Sequence, residues 1–210
     1  MGKRHFVLWG LALLASCSSG SGLSAAPPRR DAGAGVALQR IRLVLQDLEL
    51  RARDGSLRAP IASAPVIVEL AGGELEGGVH PVLDAEAPKG TYDELAFRIR
   101  PPAGVPDGAQ MPALSIVIEG SFQGRPFQLA AALEADQRLQ GQFVADSNGR
   151  NLTINVDPSG WFVSGAKVLD PFESSDRALI AANVGSSLSA FQDDDELGYE
   201  NQDDGVPPPG

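Results

Sequence analysis

Short apolar segments with a two-residue period, separated by turn residues, constrain the fold of this chain more than any other feature of its sequence. In residues 92–100, Leu95, Phe97 and Ile99 alternate with polar or small residues, which gives the segment one buried and one exposed face. Residues 66–70 form a further short apolar run. Strands at this spacing, without long helical patterns between them, favour stacked sheets over a parallel α/β fold. The sequence therefore predicts a mainly β fold, an antiparallel β-sandwich.

Turn residues between the apolar segments predict how neighbouring strands connect. We expect two hairpins: 114–118 with 127–133 around Gln123-Gly124, and 139–145 with 152–156 around Asp146–Gly149. In the second turn, Asn148-Gly149 suits the positive φ angles of a type I′ turn. A further turn is predicted at Asp157–Gly160, where Pro158 presets φ, before the apolar segment 161–169.

The secondary structure of two segments is ambiguous from the sequence. Residues 36–53 carry apolar side chains at helical spacing, yet Ile41, Leu43 and Leu45 also alternate as in a strand. We expect a long strand there, because the neighbouring segments predict a sheet. Residues 176–191 carry one apolar stripe at helical spacing, formed by Ile180, Val184, Leu188 and Phe191. We expect one C-terminal helix there, capped by Ser175 and packed against a sheet.

The first residues have the three parts of a secretory signal. Lys3 and Arg4 form a basic start, residues 6–15 form an apolar run, and Ala15 and Ser16 are small residues at a cleavage point. The apolar run is shorter than the roughly 20 residues that span a bilayer. We therefore expect residues 1–16 to be a signal peptide that is removed.

The tetrapeptide Leu14-Ala15-Ser16-Cys17 resembles the lipobox of bacterial type II signal peptides. The resemblance implies cleavage before Cys17, a diacylglyceryl group on its sulfur and acylation of its new amine. More than one acyl chain is needed for stable anchoring. The alternative is an ordinary signal peptide in which Cys17 lies near the cut by chance. Lipidation, however, accounts for the only cysteine of the chain, which cannot form an internal disulfide.

The residues after Cys17 predict the membrane to which the protein is sorted and the distance between its lipid anchor and the folded domain. By resemblance to lipoprotein sorting in diderm bacteria, Ser18 after the cysteine implies location at the outer membrane. The periplasmic and the surface face of that membrane both remain alternatives. Residues 18–35 are mostly Ser, Gly, Ala and Pro and bury too little surface to offset their ordering entropy. We expect residues 17–35 to be the lipidated cysteine and a flexible tether with a root-mean-square span of about 25 Å.

The rest of the chain divides into one domain and a tail. Residues 36–192 are of ordinary single-domain size. Residues 193–204 carry seven Asp or Glu and no Lys or Arg, and prolines follow. Because like charges in a short polar run repel each other and stay solvated, we expect residues 193–210 to be a disordered tail. The formal net charge of −10 argues against nucleic acid as a partner, because affinity for phosphates comes from Lys and Arg.

Motifs for catalysis are scarce. Removal of the signal takes His5 away and leaves His80, which excludes a zinc site built from Cys and His. The sequence has neither a G-x-S-x-G elbow nor a G-x-x-x-x-G-K-[ST] phosphate loop. His80 precedes Pro81 in a loop-like context, so we expect an exposed polar side chain rather than a catalytic one. We expect Trp161 and Phe162 to be core residues, not a sugar-stacking platform.

The acidic tail is the one segment that suggests a metal. Four residues fall on positions 1, 3, 6 and 12 of the twelve-residue calcium loop: Asp193, Asp195, Gly198 and Asp204. Leu197 occupies the fifth position, where an oxygen ligand belongs, and an aspartate replaces the usual glutamate at the last. We expect at most a weak association of Ca²⁺ with Asp193, Asp195 and Asp204, and no other cofactor.

Gly90-Thr91-Tyr92 resembles the G-x-Y turn-and-strand element of uncharacterised bacterial lipoprotein domains. Those domains are transthyretin-like or immunoglobulin-like sandwiches, and the similarity extends loosely from Val36 to about Phe191. It includes the Ser-x-x-x-Phe-x-Asp pattern of Ser187–Asp193. Because such families carry no assigned activity, the resemblance implies location and fold only.

We therefore expect a membrane-anchored envelope lipoprotein that is not an enzyme and acts as a binding or structural module, with an envelope protein as its possible partner. Two alternatives stay open. One is a calcium-associated module that uses the acidic tail. The other is an extracytoplasmic hydrolase with carboxylate chemistry, which would need a deep pocket holding two close acidic side chains of raised pKa.

Overall fold

The structure is a computed structural model that describes residues 22–26, 35–75, 80–85, 87–102, 114–145 and 151–193. Within these ranges no helix is long and apolar enough to cross a membrane. The strands, in chain order, are β1 (Gly22–Ala26), β2 (Val36–Arg51), β3 (Arg58–Ala62), β4 (Val66–Ala71), β5 (His80–Asp84), β6 (Gly90–Ile99), β7 (Ile116–Phe122), β8 (Arg125–Ala131), β9 (Ala135–Ala145), β10 (Asn151–Val156), β11 (Val163–Ser164), β12 (Lys167–Val168) and β13 (Leu188–Asp193). The helix α1 covers Ser174–Ser186, and 3-10 helices cover Gly72–Leu75 and Pro158–Gly160.

β2 is the central strand of a seven-stranded antiparallel sheet, which we call the large sheet. It pairs with β4 and β3 along one edge and with β7 and β6 along the other. β8 then pairs with β7, and β9 pairs with β6. The long strand expected within residues 36–53 is confirmed.

β2 bends where its partner changes from β7 to β6. Its register against β6 shifts between Gln46 and Glu49, which face Arg98 and Ala96 and so leave one extra residue on β2. Asp47, inside this bulge, has a φ of 54°, in the left-handed region. A bulge re-aims the side chains around it, and this one lies beside the candidate site described below.

The second layer consists of a four-stranded sheet, which we call the small sheet, together with α1. The small sheet has the order β13-β10-β1-β5, with β1 parallel to β10. Apolar residues of both layers form one core, in which Trp161 and Phe162 are fully buried, as expected. Trp161 Nε1 also donates a hydrogen bond to Ser187 Oγ at 2.7 Å. The predicted mainly β sandwich with one helix is confirmed.

The N-terminal part of the small sheet corrects one expectation. β1 lies inside the segment 17–35 that composition predicts to be a flexible tether. Leu23 of β1 pairs with Leu152 of β10 and with Leu83 of β5. Backbone pairing on both edges orders this segment, although four of its five residues are Gly, Ser or Ala. The tether expectation is therefore wrong for β1, while residues 17–21 and 27–34 lie outside the described residues.

The second predicted hairpin is also corrected. β7 and β8 pair around Gln123-Gly124, whose φ angles of 50° and 78° suit a type I′ turn, so the first hairpin is confirmed. By contrast, β9 pairs with β6 in the large sheet and β10 pairs with β1 and β13 in the small one. The chain crosses between layers here, and the expected turn at Asn148-Gly149 lies outside the described residues. The segment 161–169 holds the two short strands β11 and β12.

The predicted C-terminal helix ends earlier than residue 191. The Ser187 hydroxyl donates to the Val184 carbonyl at 2.8 Å, and the Ser187 backbone N–H donates to the same oxygen. Leu188 and Phe191 then belong to β13, which pairs with β10. Their spacing of three residues fits one face of a helix but places them on opposite faces of a strand, so the local pattern favours the helix and the tertiary pairing selects the strand. Asp193, the first residue of the predicted tail, is the last residue of β13, and residues 194–210 are not described.

The start of the helix is held by Asp176 rather than by Ser175. The N-cap position is Glu173, whose side chain makes no capping hydrogen bond, and Ser175 lies inside α1. The buried Asp176 carboxylate accepts from Lys167 Nζ at 2.5 Å and from the Asp170 backbone N–H at 3.0 Å. These hydrogen bonds, the one from Lys167 above all, lower the pKa of Asp176. They tie β12 and the following turn to α1.

The G-x-Y element is part of the core. Tyr92 is fully buried, and its hydroxyl donates to the Pro88 carbonyl at 2.7 Å. A Cβ atom at Gly90 would lie 2.8 Å from Leu57 Cδ1 and 3.7 Å from the Tyr92 ring. Glycine therefore leaves room for the tyrosine two residues later, and burial raises the pKa of Tyr92.

Candidate functional site

The structure does not bring the sequence-predicted site residues together. Cys17, Asp195 and Asp204 lie outside the described residues, and Asp193 ends β13. His80 begins β5 instead of lying in a loop, because β5 pairs with β1. In the part of the chain that is described, no group of three or more His, Cys, Asp or Glu is placed to hold a metal ion.

The outer face of the large sheet, opposite the core, carries the densest set of charged side chains among the described residues. Arg40 of β2 shows the pattern: its guanidinium lies 3.1 Å from Glu69 of β4 and 3.6 Å from Glu119 of β7. Opposite charges on facing strands stabilise a sheet modestly. The face is therefore a network of cross-strand ion pairs.

A cleft of about 330 Å³ opens in this outer face across β2, β6 and β9. Ala96 and Phe97 of β6 and Gln137 of β9 belong to its lining. The other lining residues are three carboxylates and three arginines: Asp47, Glu49, Asp136, Arg51, Arg98 and Arg138. We call this feature the charged cleft.

The cleft exists because Ala96 is the small residue in a row of charged ones. Strand register places Ala96 between Glu49 of β2 and Arg138 of β9. Neighbouring strands lie about 4.8 Å apart, so the Cα atoms of Glu49 and Arg138 are about 10 Å apart across Ala96. A carboxylate and a guanidinium thus stand on opposite sides of an alanine floor.

Arg51 closes one end of the cleft in a fixed position. Its Nε lies 3.2 Å from Glu49 Oε1, and its Nη1 lies 3.4 Å from Glu94 Oε1. Hydrogen bonding to Glu49 and the negative charges of Glu49 and Glu94 raise the pKa of Arg51. Gln140 Nε2 donates to the other Glu94 oxygen at 2.9 Å. These contacts hold the Arg51 charge in one place.

The other end of the cleft is more open. Arg98 Nη1 lies 3.3 Å from Asp47 Oδ2, and Arg98 Nε lies 3.0 Å from Asp136 Oδ1. Arg100 also reaches Asp47, at 2.8 Å. About half or more of the Arg98, Asp47 and Asp136 side chains is exposed. Exposed pairs contribute only about 0–1 kcal/mol, so a ligand can replace one at small cost.

Arg138 differs from the other two arginines of the cleft. It is exposed, and it forms no ion pair with another residue of the described ranges. Its place beside Ala96 puts its charge at the rim, opposite Glu49. Arg138 is therefore the guanidinium of the cleft that is best placed to meet an anionic group of a ligand.

Two carboxyl groups of the described residues have a lowered pKa, Asp54 through hydrogen bonds from Ser56 and Asp176 through the hydrogen bond from Lys167. Both lie outside the cleft lining. What the cleft offers is a set of paired charges of both signs around a small floor.

Sequence reasoning missed the charged cleft altogether. The alternation of charged residues along β2 and β6 is visible in the sequence, but it predicts only an exposed face. Recognition of the cleft needs the register that sets Glu49, Ala96 and Arg138 in one row. An alanine between Glu94 and Arg98 on an otherwise charged strand face is the signal that could have drawn attention to it.

Comparison with known proteins identifies no family. No protein-family model matches the sequence. No curated protein matches it either. Among solved structures, the chain is similar to MbnP from Methylosinus trichosporium, with 16% sequence identity and a TM-score of 0.37, over 71% of this chain and 73% of that chain. A similarity of this size carries no argument about function.

Proposed function

We propose that this chain is a lipid-anchored envelope protein that binds another envelope component through the charged cleft and does not act as an enzyme. The anchor is supported by the sequence, in which Leu14–Cys17 resembles a lipobox behind a short apolar run. By the same resemblance, Ser18 supports the outer membrane as its location. The binding role is supported by the geometry of the cleft.

The observation that carries the binding proposal is the row of Glu49, Ala96 and Arg138. It sets two residues of opposite charge on either side of a small floor, with their Cα atoms about 10 Å apart by strand spacing. Arg98 and Asp136 add a second, exposed pair beside it. Arrays of this kind favour a partner with complementary charges of both signs, and such contacts give specificity and fast association. A protein segment rich in Lys or Arg and in Asp or Glu has that chemistry.

The anchor is tested by fractionation of cells that make the full-length protein or its Cys17→Ser variant. We expect the wild type in the membrane fraction with acyl chains detected by mass spectrometry. The Cys17→Ser variant should keep its signal peptide or leave the membrane, without acyl chains. If both proteins are found in the membrane fraction to the same extent and neither carries acyl chains, the proposed anchor is contradicted.

The binding role is tested by cross-linking in native membranes followed by capture of the tagged protein. Arg138→Gln removes the rim charge of the cleft, and Arg53→Gln is the matched control, because Arg53 is exposed and outside the cleft lining. We expect one abundant partner with the wild type and with Arg53→Gln, and a clear loss with Arg138→Gln. Raising the salt concentration should weaken capture, since salt screens exposed charges. Capture of the wild type alone, without any partner, would contradict the role.

A further inference from the structure

The strand β1 shortens the link between the proposed anchor and the folded domain. β1 begins at Gly22, five residue steps after Cys17. An extended chain spans at most about 3.3–3.6 Å per residue, so the Cα atoms of Cys17 and Gly22 are no more than about 18 Å apart. A flexible tether that reached residue 35 would have allowed the domain to take many orientations.

Pairing places Gly22 at one end of the small sheet. Gly22 pairs with Asp84 of β5, and Asn151 of β10 pairs with Asp193 of β13. Because Leu23 pairs with Leu152, Gly22 and Asn151 lie side by side. The first residue of β1, the last of β5, the first of β10 and the last of β13 thus form a single edge. We call it the anchor edge.

We propose that the anchor edge faces the bilayer and that the lipid headgroup surface is its partner. The inference rests on the proposed lipidation of Cys17. It goes beyond that proposal by assigning one end of one sheet to the membrane. Since β1 is hydrogen-bonded on both sides, the short link orients the small sheet as a whole rather than a single loose strand. Asp193, the last residue that the structure describes, also lies on the anchor edge.

This orientation keeps the charged cleft away from the headgroups. The Gln192 side chain, one residue from the anchor edge, accepts from the Val144 backbone N–H at 2.9 Å and donates to the Val144 carbonyl at 2.8 Å. Val144 therefore marks the part of β9 that lies beside the edge. A Cβ atom at Gly141 would lie 3.3 Å from the carbonyl oxygen of Ala190, which is further from the edge on β13 than Gln192, so β9 runs away from the edge between Val144 and Gly141. Arg138 lies six residues from Val144 in this direction, about 20 Å by strand rise. The cleft thus remains open to a partner in solution or on a second surface.

The orientation is tested with single fluorophores on the lipidated full-length protein in vesicles that carry a quencher on their headgroups. Cys17 is the only cysteine and is consumed by the lipid, so one introduced cysteine gives one label. Ala85→Cys lies directly after the anchor edge. Ser159→Cys lies beyond the opposite end of β10, and that strand alone spans about 17 Å. We expect quenching at residue 85 to be several-fold stronger than at residue 159.

A long Gly/Ser insertion between Gly20 and Ser21 is the matched control, because it keeps both the anchor and β1. It should bring the two labels to similar quenching. Equal quenching without the insertion, on protein whose acyl chains are verified by mass, would overturn the orientation and leave the lipid anchor intact. Absence of acyl chains in that mass measurement would instead reject the proposed anchor, and with it the orientation.

Discussion

Leu129 and Gln128 are neighbours on β8 but lie on opposite faces of the large sheet. Leu129 is fully buried in the core, whereas Gln128 is exposed and donates to Glu119 at 2.7 Å. The same division runs along β6, where Leu95 is buried in the core and the next residue, Ala96, lines the charged cleft. The inner face holds the fold together, whereas exposed residues of the outer face, such as Gln128, can change with little loss of stability. A binding site made of such exposed residues can therefore vary in sequence without unfolding the domain.

The largest effect is expected on the inner face. Leu129→Ala removes a fully buried side chain and should lower the free energy of unfolding by about 2–5 kcal/mol. Gln128→Ala, its matched control on the outer face, should change it by less than about 1 kcal/mol. Urea unfolding of both variants measures the difference. Similar losses for the two variants would show that the faces are not divided as described.

A smaller loss is expected for Asp176→Asn, and it should depend on pH. The pKa of Asp176 is lowered in the folded state, so its contribution is present above the ordinary carboxyl pKa of about 4 and is lost as the pH falls through the folded value. The stability difference between wild type and Asp176→Asn should be largest near neutral pH and should shrink in acid. Unfolding midpoints across this pH range measure it. A constant difference would contradict the assigned ion pair with Lys167.

Tyr92→Phe tests the G-x-Y element on the core side. The variant keeps the ring but removes the hydrogen bond to the Pro88 carbonyl, so the free energy of unfolding should fall by about 0.5–1.5 kcal/mol. Thermal unfolding followed by circular dichroism measures it. An unchanged melting temperature would mean that water replaces the hydroxyl without cost.

The smallest stability effect is expected in the cleft itself. Arg98→Ala breaks exposed pairs with Asp47 and Asp136 and should change the free energy of unfolding by no more than about 1 kcal/mol. Partner capture should nevertheless fall, because Arg98 lines the cleft. Paired unfolding and capture measurements separate the two effects. A large loss of stability would place Arg98 among the structural residues.

Local patterns in the sequence predict several individual strands of the large sheet. Alternation identifies β6, and Gln123-Gly124 identifies the turn between β7 and β8, because both signals depend on residues close in the chain. The prediction of a hairpin between β9 and β10 was wrong, because the pairing of these strands depends on residues that are distant in the chain. An apolar strand shows the same period whichever sheet it joins, and the partners of β10 are β1 and β13, far away in sequence.

The small sheet and the cleft depend on pairing that no local pattern contains. Four of the five residues of β1 are Gly, Ser or Ala, a composition that predicts a linker, yet two neighbouring strands order the segment. Glu49, Ala96 and Arg138 are more than 40 residues apart from one to the next, and only the register of β2, β6 and β9 brings them into one row. Sequence reasoning therefore predicted the fold class but not the candidate site.

The measurement that tests the charged cleft most directly is partner capture by Ala96→Leu beside Ala37→Leu. Both variants add the same side chain to the outer face of β2 or β6, but Ala96 is the cleft floor and Ala37 is an exposed residue outside the cleft lining. Filling the floor alters the shape of the cleft and leaves every charge in place. We expect Ala96→Leu to lose the partner and Ala37→Leu to retain it, with both proteins folded by circular dichroism. Equal capture by the two folded variants would contradict the cleft as the binding site.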